Sequence, residues 1–334
     1  MDNNFINNNN LLSSFNKEDL NYLFNLVNNI LIEYRNNLNL PSNVTFGIEI
    51  EYEGLNHNKV DKYLLDKYPS WNSKTDLTLY AGGEITSPIM TDEIKYWKEL
   101  QDICNYLKSN TANVRENAGG HVHIGANIFN NDLNLWINFL KLYISYEHIL
   151  YRFGYGECAN ERKVLNQYSM YIGNNILKKL DKIKYVTSMN DLEFLLDNCC
   201  PKFGGINFKH ICYNEREQYR FNTIEFRFPN GTKNEVIWQN NINTFTKMIL
   251  AISEEKINPE FLDYKISKLS ERNNSSEILS HYICLEDALE FADLVFDNNL
   301  DKLYFLKQYF KNFDYVINKK YSHLTKRLTN NKLV

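Results

Sequence analysis

Along the chain the apolar residues change their spacing several times, and each change marks a predicted element. From Asn16, the residues Leu20, Leu23, Phe24, Val27, Ile30, Leu31 and Tyr34 recur at intervals of three and four, one face of a helix, with Pro41 beyond its end. The period then falls to two. In Phe46–Glu53 the apolar Ile48, Ile50 and Tyr52 alternate with Glu49, Glu51 and Glu53, so a strand turns three carboxylates to one side. Asp76 to Pro88 reads as a hairpin-like element turning at Gly82-Gly83, and Thr91 to Leu107 carries helical spacing through Ile94, Trp97, Leu100 and Leu107. Gly119-Gly120 introduces a short strand, His121 to Gly125. Residues 132–152 return to a helical pattern through Leu133, Trp136, Leu140, Tyr143, Ile144 and Leu150. In Phe221 to Phe228, Ile224, Phe226 and Phe228 alternate with Thr223, Glu225 and Arg227. The rest is mostly helical and includes an amphipathic helix using Leu303, Leu306, Phe310 and Phe313. No internal repeat is visible.

These elements predict an α+β fold in which an antiparallel sheet keeps one polar, catalytic face and packs helices on the other. The expected divisions are a disordered, low-complexity tail over 1–15, an amino-terminal helix over 16–42, a catalytic domain over 43–255 and a carboxy-terminal helical region over 256–334 packed on it. A length of 334 residues, 43% of them hydrophobic, suffices for one substantial core. The net charge of -4 comes without a lysine or arginine block, so nucleic acid is not an expected partner. No apolar run approaches the roughly 20 residues of a membrane-spanning helix, and the amino terminus is polar and asparagine-rich, which points to a cytoplasmic protein without a membrane partner. The six cysteines include the adjacent Cys199 and Cys200 but no metal-finger spacing, and read as reduced and structural.

The chemistry gathers on three strands. Glu49/Glu51, His121/His123 and Glu225/Arg227 each occupy the polar side of an alternating segment, where an ordinary solvated face would mix Lys, Thr and Ser. With Asp76 and Glu84 added, five carboxylates would share one cavity, each disfavouring the ionisation of the others. Divalent cations offset such a set most simply. Its oxygen-rich character with one or two imidazoles suits magnesium, or alternatively manganese, better than zinc. Two or three ions bridging to phosphate oxygens are expected. Each piece alone has a plainer explanation: an ExE is usually a solvated strand edge, histidines on strands are often core or surface residues, and ExR is commonly an intrasheet ion pair. Asp76 and Glu84 have the plainer role of turn residues. Their co-occurrence in order is what raises the functional reading.

The segments Gly47-Ile48-Glu49-Ile50-Glu51, Asp76 with Gly83-Glu84-Ile85-Thr86-Ser87-Pro88, Gly119-Gly120-His121-Val122-His123-Ile124-Gly125 and Thr223-Ile224-Glu225-Phe226-Arg227 resemble, in order, the motifs of the amidoligase family. That family is similar to glutamate–cysteine ligases and glutamine synthetases in its catalytic fold, and the resemblance runs from about residue 45 to about residue 250. It implies metal ligation by Glu49, Glu51, Asp76, Glu84, His123 and Glu225. His121 matches the additional histidine of the amidoligases, and Arg227 the arginine that neutralises the transferring phosphoryl group. Arg162 and Tyr168 look like a degraded version of a basic segment with a nearby aromatic that the family places near substrate. The implied catalytic residues are Arg227, Glu49 and Glu225, with Arg227, Arg162 and His121 at the nucleotide. The implied activity is an ATP- and Mg2+-dependent ligase that joins a small-molecule or peptide carboxylate to an amine through an acylphosphate.

No Walker sequence and no Rossmann glycine pattern occurs, which is compatible with nucleotide held through metals on a sheet. Two other classes compete. A metal-dependent hydrolase of amide or phosphoester bonds could use HxH with carboxylates to generate hydroxide, but a barrel amidohydrolase places HxH early with further His and Asp downstream. A cupin places Glu a few residues after HxH, where this chain has Asn127 and Ile128. A non-catalytic peptide- or nucleotide-binding module has no need for so many mutually repelling carboxylates. The identities of the acid and the amine are not legible, with glutamate-like or peptide carboxylates the family default, and residues 153–215 are the candidate substrate-determining insert.

Overall fold

The structure is a computed structural model that describes residues 16–114, 117–130, 132–158, 161–183, 185–200, 202–208, 222–271 and 285–311. The expected tail over 1–15, the strand residue Phe221 and the helix residue Phe313 lie outside the described residues.

Among the described residues six strands form one antiparallel sheet: β1 (Phe46–Tyr52), β2 (Asn72–Lys74), β3 (Gly83–Thr86), β4 (Gly120–Gly125), β5 (Ile206–Asn207) and β6 (Thr223–Phe226). They lie side by side in the order β2-β3-β1-β4-β6-β5. Glu49 stands opposite Thr86 and Glu51 opposite Glu84 across β1–β3. Glu49 stands opposite His121 and Gly47 opposite His123 across β1–β4. His123 in turn faces Glu225 across β4–β6. This register settles which residues share a face, because side chains alternate with a period of two.

The other face is apolar and fully covered. Phe46, Ile48, Ile50, Tyr52, Ile85, Val122, Ile124, Ile224 and Phe226 are all buried. Helix α3 (Ile94–Ser109, after the short α2, His57–Lys67) places Trp97 in a stack on Phe46, with centroids 5.1 Å apart. The long helix α4 (Leu133–Gly154) is kinked at Tyr146 and is followed, after three short helical turns, by α5 (Met189–Cys199). Helix α6 (Glu235–Ser253) stacks Phe245 on Phe226 at 4.3 Å, a contact contributing about 0.5–1.5 kcal/mol beyond the area it buries. Helices α7 (Pro259–Glu271), α8 (Leu285–Val295) and α9 (Asn299–Phe310) close the layer around α4 and α6.

The first helix, α1 (Lys17–Asn29), is capped by Asn16, whose side chain accepts from Glu18 and Asp19, and it packs within its own chain, Phe24 against Phe310. It stops short of the expected Tyr34. Ile30 is already extended (φ -71°, ψ 138°), after two asparagines that favour helix termini over helix interiors. Leu31 is accordingly exposed. The chain that follows is tied down individually: Arg35 N–H donates to Gln239 at 2.9 Å, and Asp92 accepts from Leu38 and Leu40 at 2.8 and 3.0 Å. The expected hairpin at 76–88 begins earlier, at β2, and Asp76 sits in its connecting loop. The last strand is confined to Thr223–Phe226, and the carboxy-terminal region is helical as expected, contributing α7, α8 and α9 among the described residues.

Candidate active site

Register brings Glu49, Glu51, His121, His123, Glu225 and Arg227 together at the sheet centre. His121, 3% exposed, presents Nδ1 to Glu49 Oε2 at 2.8 Å and Nε2 to Glu51 Oε1 at 3.4 Å. His123 Nε2 lies 3.3 Å from Glu49 Oε1 and 4.0 Å from Glu225 Oε1. Arg227 donates to Glu225 Oε1, and Asn207 of β5 donates to Glu225 Oε2 at 2.8 Å. Burial alone would raise the carboxyl pKa of Glu49, but the hydrogen bonds and charge of His121 and His123 outweigh it and hold Glu49 well below the usual range. Burial opposes ionisation of Glu225 as well, and His121, His123 and Arg227 together override it. The His123 imidazole goes the other way: Glu49 and Glu225 raise it despite burial.

A second acidic group lies one step along. Glu51 and Glu84 are a direct cross-strand pair of like charges, an arrangement that destabilises a sheet unless something cationic intervenes. Asp76 joins them from the β2–β3 loop, where its carboxylate accepts from Thr78 N–H and Oγ1–H, both at 2.7 Å. Burial and the nearby Glu49 charge raise the Glu84 pKa, although Lys74 Nζ lies 2.8 Å from it.

The six residues expected as metal ligands thus divide into two triads. Glu49, His123 and Glu225 offer ligand atoms all within 4.8 Å of one another, and so do Glu51, Asp76 and Glu84. Both sets fit a hard divalent cation, being rich in oxygen and free of cysteine; Lys74 on Glu84 and His121 on Glu51 offset part of the repulsion in the second set, and the added carboxylate of Asp76 is the local reason to expect a cation there.

Glu53, which sequence alternation placed beside Glu49 and Glu51, does not join either triad. It is buried at the strand end, where Oε1 accepts from Tyr80 N–H and Asn117 Nδ2–H, both at 3.0 Å, and so anchors the loop that carries Asp76. Arg162 is also brought to the site, although it offers little of its charge to open space. Its guanidinium lies flat against Gly119, where an added Cβ would stand 3.0 Å from Cζ, and it donates to Pro229 O, Arg227 O and Ser169 Oγ. Burial brings its pKa down to about 10. Arg162 therefore braces the backbone that leads into Arg227.

Two cavities open on this face and share Glu49 and Lys74. The first, of about 440 Å³, runs toward Glu51 and adds Arg162, Tyr168, Lys202, Phe203 and Arg227. The second, of about 510 Å³, runs toward Gly47 and His123. Part of the expected insert, including Tyr168 and Phe203 in edge contact at 5.6 Å, therefore walls the first cavity. Sequence reasoning missed Lys74, Asn207 and Lys202. Lys74 carried one usable signal, its position two residues before Asp76, but Asn72-Ser73-Lys74 has no apolar alternation to mark a strand.

Among the described residues no helix is long and apolar enough to cross a membrane. No curated protein matches the chain significantly. The family model described as "Putative amidoligase enzyme" matches residues 59–249, more than half of the chain. The match begins after β1, so Glu49 and Glu51 stand outside it and are joined to it through the sheet. A ligase-type family with its matched strands carrying His121, His123, Glu84 and Glu225 accords with this geometry, and the chain belongs to the amidoligase family.

Proposed function

We propose that the chain is an ATP-dependent, magnesium-using carboxylate–amine ligase, with a glutamine synthetase-like or glutamate–cysteine ligase-like catalytic sheet. In this reading a substrate carboxylate takes the γ-phosphoryl group of ATP, and an amine then displaces phosphate from the acylphosphate to leave an amide. The observation that carries it is that the five carboxylates of the two triads line one cavity with Arg227 beside them, while His123 reaches Glu49 from the adjoining cavity.

Glu49, His123 and Glu225 would hold one ion and Glu51, Asp76 and Glu84 another. Bound there, magnesium supplies neutralisation of phosphate oxygens, which is most of what phosphoryl transfer requires. His121 holds Glu49 and Glu51 at a fixed separation. Arg227, which donates to Glu225 through Nη1, is placed to meet charge that develops on the transferred group. Lys74, Lys202 and Arg227, with the buried Arg162 behind them, give the first cavity the cationic wall that a nucleotide polyphosphate needs.

The test is purified protein with ATP and Mg2+, challenged with pools of acids, amines and short peptides. The reading expects amine-dependent phosphate release and a product lighter by one water than its two precursors, both lost in Glu49→Gln. Loss of amide substrates without ATP would replace it with a hydrolase.

A further inference from the structure

The second cavity differs in chemistry from the first. Apart from His123, Lys74 is the one basic side chain lining it among the described residues, and Lys74 stands at its inner end where the two cavities meet. The outer walls are Pro88, Ile89 and the hydroxyl-bearing Thr45, Thr86 and Thr223. Ser87 also lines it, but its hydroxyl is already engaged, accepting from Ile48 N–H at 2.9 Å and donating to Pro88 O at 2.8 Å.

An independent observation concerns the floor. Gly47 lies in the middle of the sheet opposite His123, and its backbone does not occupy the left-handed region. A Cβ there would sit 3.4 Å from Ser87 Oγ, 3.9 Å from Pro88 O and 4.0 Å from His123 Cβ, all ordinary contacts. Neither conformation nor close packing calls for glycine, and glycine inside a strand weakens it. What the missing side chain provides is open depth in the cavity beside Glu49.

We propose that this cavity takes the body of the acid substrate, and that the acid is a monocarboxylate whose body is uncharged and largely apolar. The proposal rests on the ligase reading. The reacting carboxylate must lie next to the transferred phosphoryl group, hence at the junction, where Lys74 faces both cavities. The remainder extends past Gly47 toward Pro88 and Ile89. Past His123, whose imidazole already faces Glu49 and Glu225, a second carboxylate on that remainder would meet no cation among the described residues, and an unpaired charge removed from water is strongly disfavoured. The volume, about 510 Å³, is in the range of small-molecule sites, roughly 300–1,000 Å³. This departs from a glutamate-like substrate.

The experiment is calorimetric titration of the Mg2+-loaded full chain with butanoate, pentanoate, hexanoate and glutarate, with and without a non-hydrolysable ATP analogue. The analogue itself is titrated first. The proposal expects affinity to rise about fourfold per added methylene and glutarate to bind at least tenfold more weakly than pentanoate. In Gly47→Leu, with an unchanged melting profile, the length dependence should vanish. The wild-type series alone decides the matter if that variant does not fold. Equal binding of glutarate and pentanoate, or no length dependence, overturns the proposal. Failure of the analogue to bind while the acid series still holds removes the ATP-dependent reading and leaves the ligand class of the cavity standing.

Discussion

His121 stands opposite Glu49 in the β1–β4 ladder and brings Nδ1 within 2.8 Å of its carboxylate, while its other ring nitrogen faces Glu51 at 3.4 Å. One buried imidazole therefore spans two carboxylates that belong to different triads. In the proposed ligase it would be a positioning residue. His121→Gln should weaken Mn2+ or Mg2+ binding about 10- to 100-fold, the usual effect of removing a group that orients metal ligands, with the circular dichroism spectrum preserved. Metal titration checks this, and a change under threefold would reduce the imidazole to a spacer.

Arg227 is expected to matter more in turnover than in binding. Charge spreads over the transferred phosphoryl group only in the transition state, so an arginine aimed there acts on kcat. Arg227→Ala should lower kcat for ATP consumption about 10²–10³-fold and change nucleotide affinity less than tenfold. Near wild-type turnover in that variant would falsify the role.

Glu53 supports Asp76 indirectly, by accepting from Tyr80 and Asn117 while Gly54 N–H donates to Tyr80 O at 3.1 Å. Glu53→Ala leaves two donors without their acceptor, at a cost of about 1–3 kcal/mol each where they stay buried. The specific expectation is unequal loss of metal: the ion at Glu51, Asp76 and Glu84 weakens, and the ion at Glu49, His123 and Glu225 persists. Equal loss at both, read from binding stoichiometry, argues for general unfolding instead.

Glu147 lies beside the kink at Tyr146, and its buried carboxylate accepts from Ile172 N–H at 2.8 Å, Gly173 N–H at 2.9 Å and Tyr143 O–H at 3.1 Å. Burial outweighs these donors and raises its pKa from 4.5 to about 7. Because the folded chain holds this proton more tightly than the unfolded chain, the stability it brings is complete below about pH 4.5 and is lost as pH rises through about 7. Melting of wild type against Glu147→Gln should therefore show the wild type losing ground across that window. A constant difference between the two would mean that Glu147 does not titrate there.

Much of the site was legible in the chain because its residues combine extreme chemistry with clean alternation. Glu49/Glu51, His121/His123 and Glu225 each sit on a strand whose neighbouring positions are strongly apolar, with Arg227 one residue past its strand, and register brings them together as that alternation implies. Asp76 and Glu84 were placed by their glycine-bounded hairpin. The order β2-β3-β1-β4-β6-β5 was not legible, since pairing between distant segments is decided by packing rather than by any local signal. The edge strands left no trace for the same reason that they are edges: Asn72-Ser73-Lys74 and Ile206-Asn207 are too short and too polar to alternate. Spacing also ran helix α1 too far, because Leu31 and Tyr34 keep a helical interval in a segment held extended by Asp92 and Gln239. Glu53 shows the limit of the strand rule, since it keeps the period of Glu49 and Glu51 yet spends its carboxylate on a loop.

Glu49, with Lys74, lines both cavities, and that shared wall has a thermodynamic consequence. Any occupant that alters the charge or direction of this carboxylate from one side alters what the other side meets. Affinities in the two cavities are then linked, and linkage is reciprocal: whatever factor the first occupant imposes on the second, the second returns to the first. A chain built this way can enforce an order of arrival without a moving part, because the ligand that comes alone finds a different Glu49 from the ligand that comes second.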